Sequence, residues 1–243
     1  MLEGGKHLTE YLHQLKQLEF TDFWLQAKSS LFLDYLPAGC EKTVLDLGAG
    51  TGLLTFKLAQ LGWDVDALEP SKEATEWIQD KVAQFGSRVS VINKTLEAFS
   101  TRKKYSVVAM ADVLEHIGDD EAALAKIHGL LARGGTLLLS VPANPWLWSA
   151  HDVHCLHCRR YGKPELRRKL EKHFLVKTLR SWNFAMLPVA LANKLLYKRE
   201  YPHKAVNSVG FLNEALKSYY LAVENKVPFP AGITLFAAAV KQA

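Results

Sequence analysis

The run Thr43-Val-Leu-Asp-Leu-Gly-Ala-Gly-Thr-Gly52 constrains the fold more than any other part of this 243-residue chain. Its apolar start reads as a buried strand, Thr43 to Leu47, breaking into a glycine turn and then a helix from near Thr51 through Leu61. Gly48, Gly50 and Gly52 stand where the backbone must turn sharply and lie against a ligand, because glycine takes positive φ without a Cβ penalty. The N–H groups that open the next helix favour a polar or anionic ligand group. Glu69 follows 17 positions after Gly52, at the end of the short run Trp63-Asp-Val-Asp-Ala-Leu68. In a strand–turn–helix–strand unit, an acid at the end of the second strand faces the crevice and can accept both ribose hydroxyls of an adenosine.

Dinucleotide sites carry Gly-x-Gly-x-x-Gly, whereas this turn is Gly48-x-Gly50-x-Gly52 preceded by Asp46. That Asp-x-Gly-x-Gly-x-Gly spelling resembles the first motif of class I S-adenosylmethionine (SAM) dependent methyltransferases. The resemblance implies SAM as cofactor and S-adenosyl-L-homocysteine as product. It implies that Asp46 helps place the SAM amino group, that the backbone of Gly48, Ala49, Gly50 and Gly52 lines the methionine part, and that Glu69, with Pro70 beside it, takes the ribose. Many members carry an acid at about the position of Thr95 to hold the adenine amino group. Here Asn93-Lys-Thr-Leu-Glu97 departs from that pattern, so the Thr95 hydroxyl or backbone groups near Leu96 must substitute.

A hydrophobic content of 49% suits one α/β domain spanning residues 1–243, with a full core and no second one. No uninterrupted apolar run approaches the roughly 20 residues of a spanning helix, and the N-terminus lacks a signal-peptide core. Three cysteines, Cys40, Cys155 and Cys158, are too few and too oddly numbered for a disulfide framework. A cytoplasmic protein is expected. The net charge of +5 is spread along the chain rather than concentrated, so it does not mark a nucleic-acid partner.

Residues 1–40 read as a helical cap of one or two amphipathic helices, with Leu8, Leu12, Leu15 and Leu18 near helical spacing and Phe23-Trp24 continuing the pattern. The cap either covers a sheet edge or closes Phe23, Trp24 and Lys28 over the cofactor. Ser71 to Gln84 reads as a helix, and Arg88 to Asn93 and Tyr105 to Met110 as strands three and four. A helix from Gly118 ends at a Gly134-Gly135 turn before strand five, Thr136 to Val141. Glu165 to His173 is a helix, Phe174 to Trp182 strand six and Ile233 to Val240 strand seven. Alternation of strands and helices predicts a Rossmann-like, doubly wound sheet with its crevice at the strand C-terminal ends. The family resemblance implies seven strands, the last antiparallel and inserted between its neighbours. The segment Asp112-Val-Leu-Glu-His116 resembles the family's later motifs and makes Ala111, Asp112 and His116 cofactor-side candidates. Glu115 and His116 can equally be a helix-start pair without chemistry.

The stretch Trp146-Leu-Trp148-Ser-Ala-His-Asp-Val-His-Cys-Leu-His-Cys-Arg-Arg-Tyr161 falls above the crevice after strand five, where substrate groups gather in open α/β folds. Methyl transfer from a sulfonium needs an aligned acceptor, exclusion of water and, for a hydroxyl or amine, removal of a proton. His151 beside Asp152, or His157, can take that proton. Arg159 and Arg160 can pair with an anionic group of the acceptor, with Tyr161 and Trp148 as further substrate-side candidates. His151, His154, Cys155, His157 and Cys158 also form a dense set of metal-ligand types, but their spacing is too tight for a knuckle of two separated pairs, and no metal is assigned. The residues can also simply brace the loop. The loop resembles a subgroup of the family with a His-Asp…His-x-Arg-Arg-Tyr signature.

An insertion at 183–232 separates strands six and seven. Its apolar start, Phe184 to Ala192, and its helix Phe211 to Asn225 can roof the crevice, which predicts a small or lipid-like acceptor. Lys194, Lys198 and Arg199 beside that start also allow peripheral membrane contact. The resulting expectation is methyl transfer to such an acceptor, with oxygen favoured because the loop offers a base. A nucleic-acid methyltransferase is disfavoured, since Ala111-Asp112-Val113 stands where such enzymes carry an Asn-Pro-Pro-aromatic clamp. A non-catalytic SAM-binding or partner-binding scaffold is the alternative, and buried, inaccessible His151 and His157 would favour it.

Overall fold

The computed structural model describes residues 22–192 and 210–242, together with His13, Lys16 and Lys194. The leucine pattern at Leu8–Leu18 and the basic-aromatic stretch Lys198–Tyr201 lie outside the described residues. Seven strands form one sheet: β1 (Thr43–Leu47), β2 (Asp64–Leu68), β3 (Val89–Ile92), β4 (Tyr105–Ala111), β5 (Leu131–Pro142), β6 (Phe174–Trp182) and β7 (Thr234–Lys241). Their order is β3-β2-β1-β4-β5-β7-β6. The first five pair in parallel, and β7 runs antiparallel to both β5 and β6, as the family resemblance implied.

Every position of β1 is buried, because helices cover both faces of the sheet. On one face Leu45, Leu47, Val108 and Met110 pack with Leu124 and Ile127 of α4 (Asp120–Leu130) and with Leu166 and Leu170 of α6 (Lys163–Glu171). On the other, Val44, Val107, Ala109 and Phe236 meet α1 (Phe23–Asp34), α2 (Leu53–Gln60), α3 (Lys72–Val82) and Tyr220. Alternate residues of one strand thus feed two cores.

The start of β5 differs from the sequence expectation. β5 begins at Leu131, directly after α4, and the Gly134-Gly135 pair lies inside it as a bulge rather than before it as a turn. Tyr105 pairs with Leu131 but Val107 with Thr136, so extra residues are looped out, with Gly134 at φ +72°.

The inserted segment seats α1. The Phe23 amide donates to Asn213 Oδ1 of α8 (Gly210–Tyr219) at 3.0 Å. Asn225 Nδ2 donates to the Ala27 carbonyl at 2.9 Å, and Asn225 Oδ1 accepts Trp182 Nε1 at 2.9 Å. Glu224, fully buried, accepts the amides of Asn183, Phe184 and Ala185 at 3.1, 3.2 and 2.8 Å. Just before β7, a Cβ on Gly232 would lie 2.1 Å from the Trp182 carbonyl oxygen, so only glycine permits that approach. These ties hold α1 over the C-terminal edge of the sheet.

Candidate active site

Sheet building changes direction at β1, which pairs β2 on one side and β4 on the other. A crevice must open above the strand ends there. A cavity of about 620 Å³ fills it, walled by α1, the β1–α2 turn, the ends of β2 and β4, and the loop after β5. That volume is in the range of small-molecule sites.

Gly48 takes φ +71°, and a Cβ on it would lie 2.4 Å from Val113 Cγ2. The turn therefore hugs the β4 loop and leaves its backbone facing the cavity. Asp46, 2% exposed, accepts Thr55 Oγ1 at 2.6 Å on its Oδ2. Burial pushes its carboxyl up to about 6, against that hydrogen bond. Glu69 accepts the Gly50 amide on Oε2 and the Ser71 amide on Oε1, both at 2.8 Å, and Asn93 Nδ2 braces the Glu69 and Pro70 carbonyls at 3.0 Å each. Burial raises the Glu69 pKa against those amides. Trp24, Asp46, Gly48, Ala49, Gly50, Glu69, Pro70, Thr95, Leu96, Ala111, Asp112 and His116 all line the cavity. Gly52 does not; it sits behind the wall against Phe56 and Ile78. The Thr95 hydroxyl accepts the Ala98 amide at 3.3 Å, which leaves its proton for another acceptor.

Asp112 has φ +57°, uncommon for a residue with a side chain, and two other cavity-lining residues, Leu156 and Asn183, also have positive φ. Such positions concentrate at functional sites. The Asp112 carboxylate receives Lys28 Nζ on Oδ2 and Ser140 Oγ at 2.7 Å on Oδ1. Burial pushes this carboxyl up, but the Lys28 ammonium and Ser140 outweigh it and hold it below the usual range. Lys28 also lies 3.5 Å from the centre of the Trp24 ring.

The loop after β5 carries α5 (Ala150–His154), capped by Asp152 Oδ2, which accepts the Ser149 amide at 2.8 Å. The other Asp152 oxygen accepts His157 Nδ1 at 2.9 Å and Arg160 Nε at 2.6 Å. Asp152 is fully buried behind the wall; burial pushes its carboxyl up, yet His157 and Arg160 hold it well below the ordinary value. His151, although adjacent in sequence, is not the histidine this carboxylate holds. His151, His157 and Arg160 line the cavity. Arg159, Tyr161 and Trp148 do not: Arg159 pairs with Asp120 at 2.9 Å and donates to the Gly118 carbonyl at 2.6 Å, the buried Tyr161 hydroxyl donates to Asp120 at 2.9 Å, and Trp148 is partly exposed.

Glu115, which the sequence offered only as a helix-start pair with His116, also lines the cavity. It is fully buried, and neither carboxylate oxygen has a hydrogen-bond partner among the described residues. Burial, then the Asp112 charge, pushes its carboxyl well above the ordinary value. The available signal was its place directly before His116. Burial pulls the His116 imidazole down to about 4, and its ring centre lies 4.9 Å from that of His157.

The fold is a doubly wound α/β sheet with a cavity at its switch point. A family model described as a methyltransferase domain matches residues 11–188, and the chain belongs to that family. The ubiquinone biosynthesis O-methyltransferase of Vibrio vulnificus is 30% identical over 131 residues, 53% of this chain and 52% of that protein. The protein of the same description from Nitrosomonas europaea is 30% identical over 112 residues, 45% of this chain and 48% of that protein. The matched stretch thus spans about half the length of these curated relatives. Among solved structures, the N-methyltransferase NodS from Bradyrhizobium japonicum, in complex with S-adenosyl-L-homocysteine, superposes with TM-score 0.62 at 15% identity, covering 96% of this chain and 98% of that one. The [4+2]-cyclase SpnF reaches TM-score 0.62 at 13% identity, covering 90% and 81%. These likenesses show the shared fold. Among the described residues, no helix is long and apolar enough to cross a membrane.

Proposed function

We propose that this protein is a SAM-dependent methyltransferase that methylates a hydroxyl oxygen of a small or lipid-like acceptor. The carrying observation is the Glu69 carboxylate, seated on the Gly50 and Ser71 amides at the mouth of the glycine turn. Each of its oxygens has accepted one N–H and retains a lone pair for a ribose hydroxyl. The fit extends to Asp46, a buried carboxylate beside the turn that a cationic amino group would stabilise in its charged form. When bound, SAM supplies a methyl group activated by a sulfonium.

The chain's own residues then align and deprotonate. Phe23, Met186 and Ile233 give the cavity apolar walls that exclude water and suit an apolar acceptor. The cavity would align the acceptor oxygen toward that methyl group, and the hydroxyl proton would pass to His151 or His157. Oxygen is supported by the description of the matched relatives as O-methyltransferases. Both histidines line the cavity, which supports a catalytic reading over a binding scaffold.

Calorimetric titration with SAM, S-adenosyl-L-homocysteine and NADH tests the class. SAM should bind in the micromolar range, NADH should give no heat, and Glu69→Ala should weaken SAM by about tenfold or more, the order of lost charged hydrogen bonds. Absence of SAM binding would leave a degenerate scaffold as the better account.

A further inference from the structure

We propose that Glu115, His116 and His157 bind a divalent transition-metal ion, which takes the acceptor's hydroxyl oxygen in an open coordination position. One ligand atom from each of the three residues lies within 4.8 Å of the others, on two separate segments of the cavity wall. Metal–ligand bonds of about 2.1 Å require these atoms to draw in by roughly an ångström. Ion binding would have to draw the Glu115 and His116 side chains toward His157, which Asp152 holds.

A ligand is called for independently by Glu115. Its carboxyl is 0% exposed and unpartnered among the described residues, in a wall where the cations are spoken for. Lys28 is engaged by Asp112, and Arg160 by Asp152. Burying an unpaired carboxyl is costly, and a bound cation removes that cost. His157 is already oriented as metal-ligating histidines are. Its Nδ1 is held by Asp152 Oδ1 at 2.9 Å, which leaves Nε2 as the nitrogen it has to offer. A carboxylate behind a histidine fixes the ring and raises its basicity as a ligand. Two imidazoles and one carboxylate with positions left open make a set suited to zinc, manganese or iron in the divalent state. The set takes only His157 from the dense cysteine–histidine run of the loop, where Cys158 Sγ approaches the His116 carbonyl at 3.6 Å.

The role of the ion rests on the methyl-transfer reading; its binding does not. A hydroxyl bound to the ion loses its proton more readily. With His157 committed to the ion, His151 is the proton acceptor, its ring centre 6.3 Å from that of His157.

The test uses the full-length protein, stripped with a chelator and titrated with Co²⁺ alone while visible absorption is recorded. One equivalent should bind with ligand-field bands, Zn²⁺ should displace it, and Glu115→Gln and His157→Ala should each weaken binding tenfold or more. Glu115→Gln keeps the side-chain shape, and melting curves with SAM titrations verify that each variant is folded. No saturable Co²⁺ binding to the wild type, or binding that both folded variants retain unchanged, overturns the proposal. Co²⁺ binding without SAM binding would instead remove the methyl-transfer reading and leave the metal site standing.

Discussion

Asp46 illustrates a residue held against its own preference. Its folded value of about 6 lies above the ordinary 3.8, so burial opposes ionisation more than the Thr55 hydrogen bond favours it. The stability associated with the neutral form is therefore present at low pH and lost as pH rises through about 6. A two-unit difference corresponds to about 3 kcal/mol. Asp46→Asn should raise the melting temperature of the ligand-free protein at pH 7.5, with the gain vanishing below about pH 4, where both side chains are neutral. The same substitution should weaken SAM by tenfold or more. Melting curves from pH 4 to 8, with calorimetry at pH 7.5, check both; a lower melting temperature at pH 7.5 would mean that the carboxylate is stabilised by contacts beyond Thr55.

Residue-level geometry also separates what adjacency implied from what packing arranged. His151 and Asp152 are neighbours on a helical turn, so their side chains diverge, whereas His157 returns to Asp152 because Leu156 takes φ +58°. Arg159 and Arg160 diverge likewise, one to Asp120 and the other to Asp152. Neither pairing can be read from spacing alone, since each depends on where a loop turns.

At the scale of elements, the segment between β6 and β7 works as a strut for α1. Glu224 gathers three amides at the exit of β6, and Asn225 bridges Trp182 to Ala27. Glu224→Ala orphans three amides, and each buried orphan costs on the order of 1–3 kcal/mol where water does not reach it. Urea denaturation should show a loss of several kcal/mol, while Glu224→Gln, retaining one acceptor oxygen, should lose clearly less. Equal losses would mean that the charge rather than the amide pairing matters. The helices on the sheet were legible because amphipathic periodicity and caps are local: Ser71, where the expected helix opens, accepts the Ala74 amide at 3.3 Å. The early start of β5 was not, because a bulge is decided by the partner strand.

At the scale of the whole molecule, the cavity is closed by pieces distant in sequence: α1, the glycine turn, the β4 exit and the loop after β5. Ligand binding should therefore couple them. Saturating SAM should slow amide hydrogen exchange together in 23–34, 46–52 and 112–117, with little change at the far ends of the strands. Protection confined to the glycine turn would show that α1 is not part of the cofactor wall.

The sequence by itself determined the sheet, the crevice and the family, because a buried parallel strand, a glycine turn and a following acid are short-range patterns with few structural solutions. Asp46, Gly48, Gly50 and Glu69 were legible for that reason. Only the tertiary structure decided that Asp152 serves His157 rather than His151, that Tyr161 and Arg159 brace Asp120, and that Glu115 stands buried without a partner. Those outcomes depend on the sum of burial, backbone handedness and contacts across more than 30 residues of chain, which no local pattern encodes.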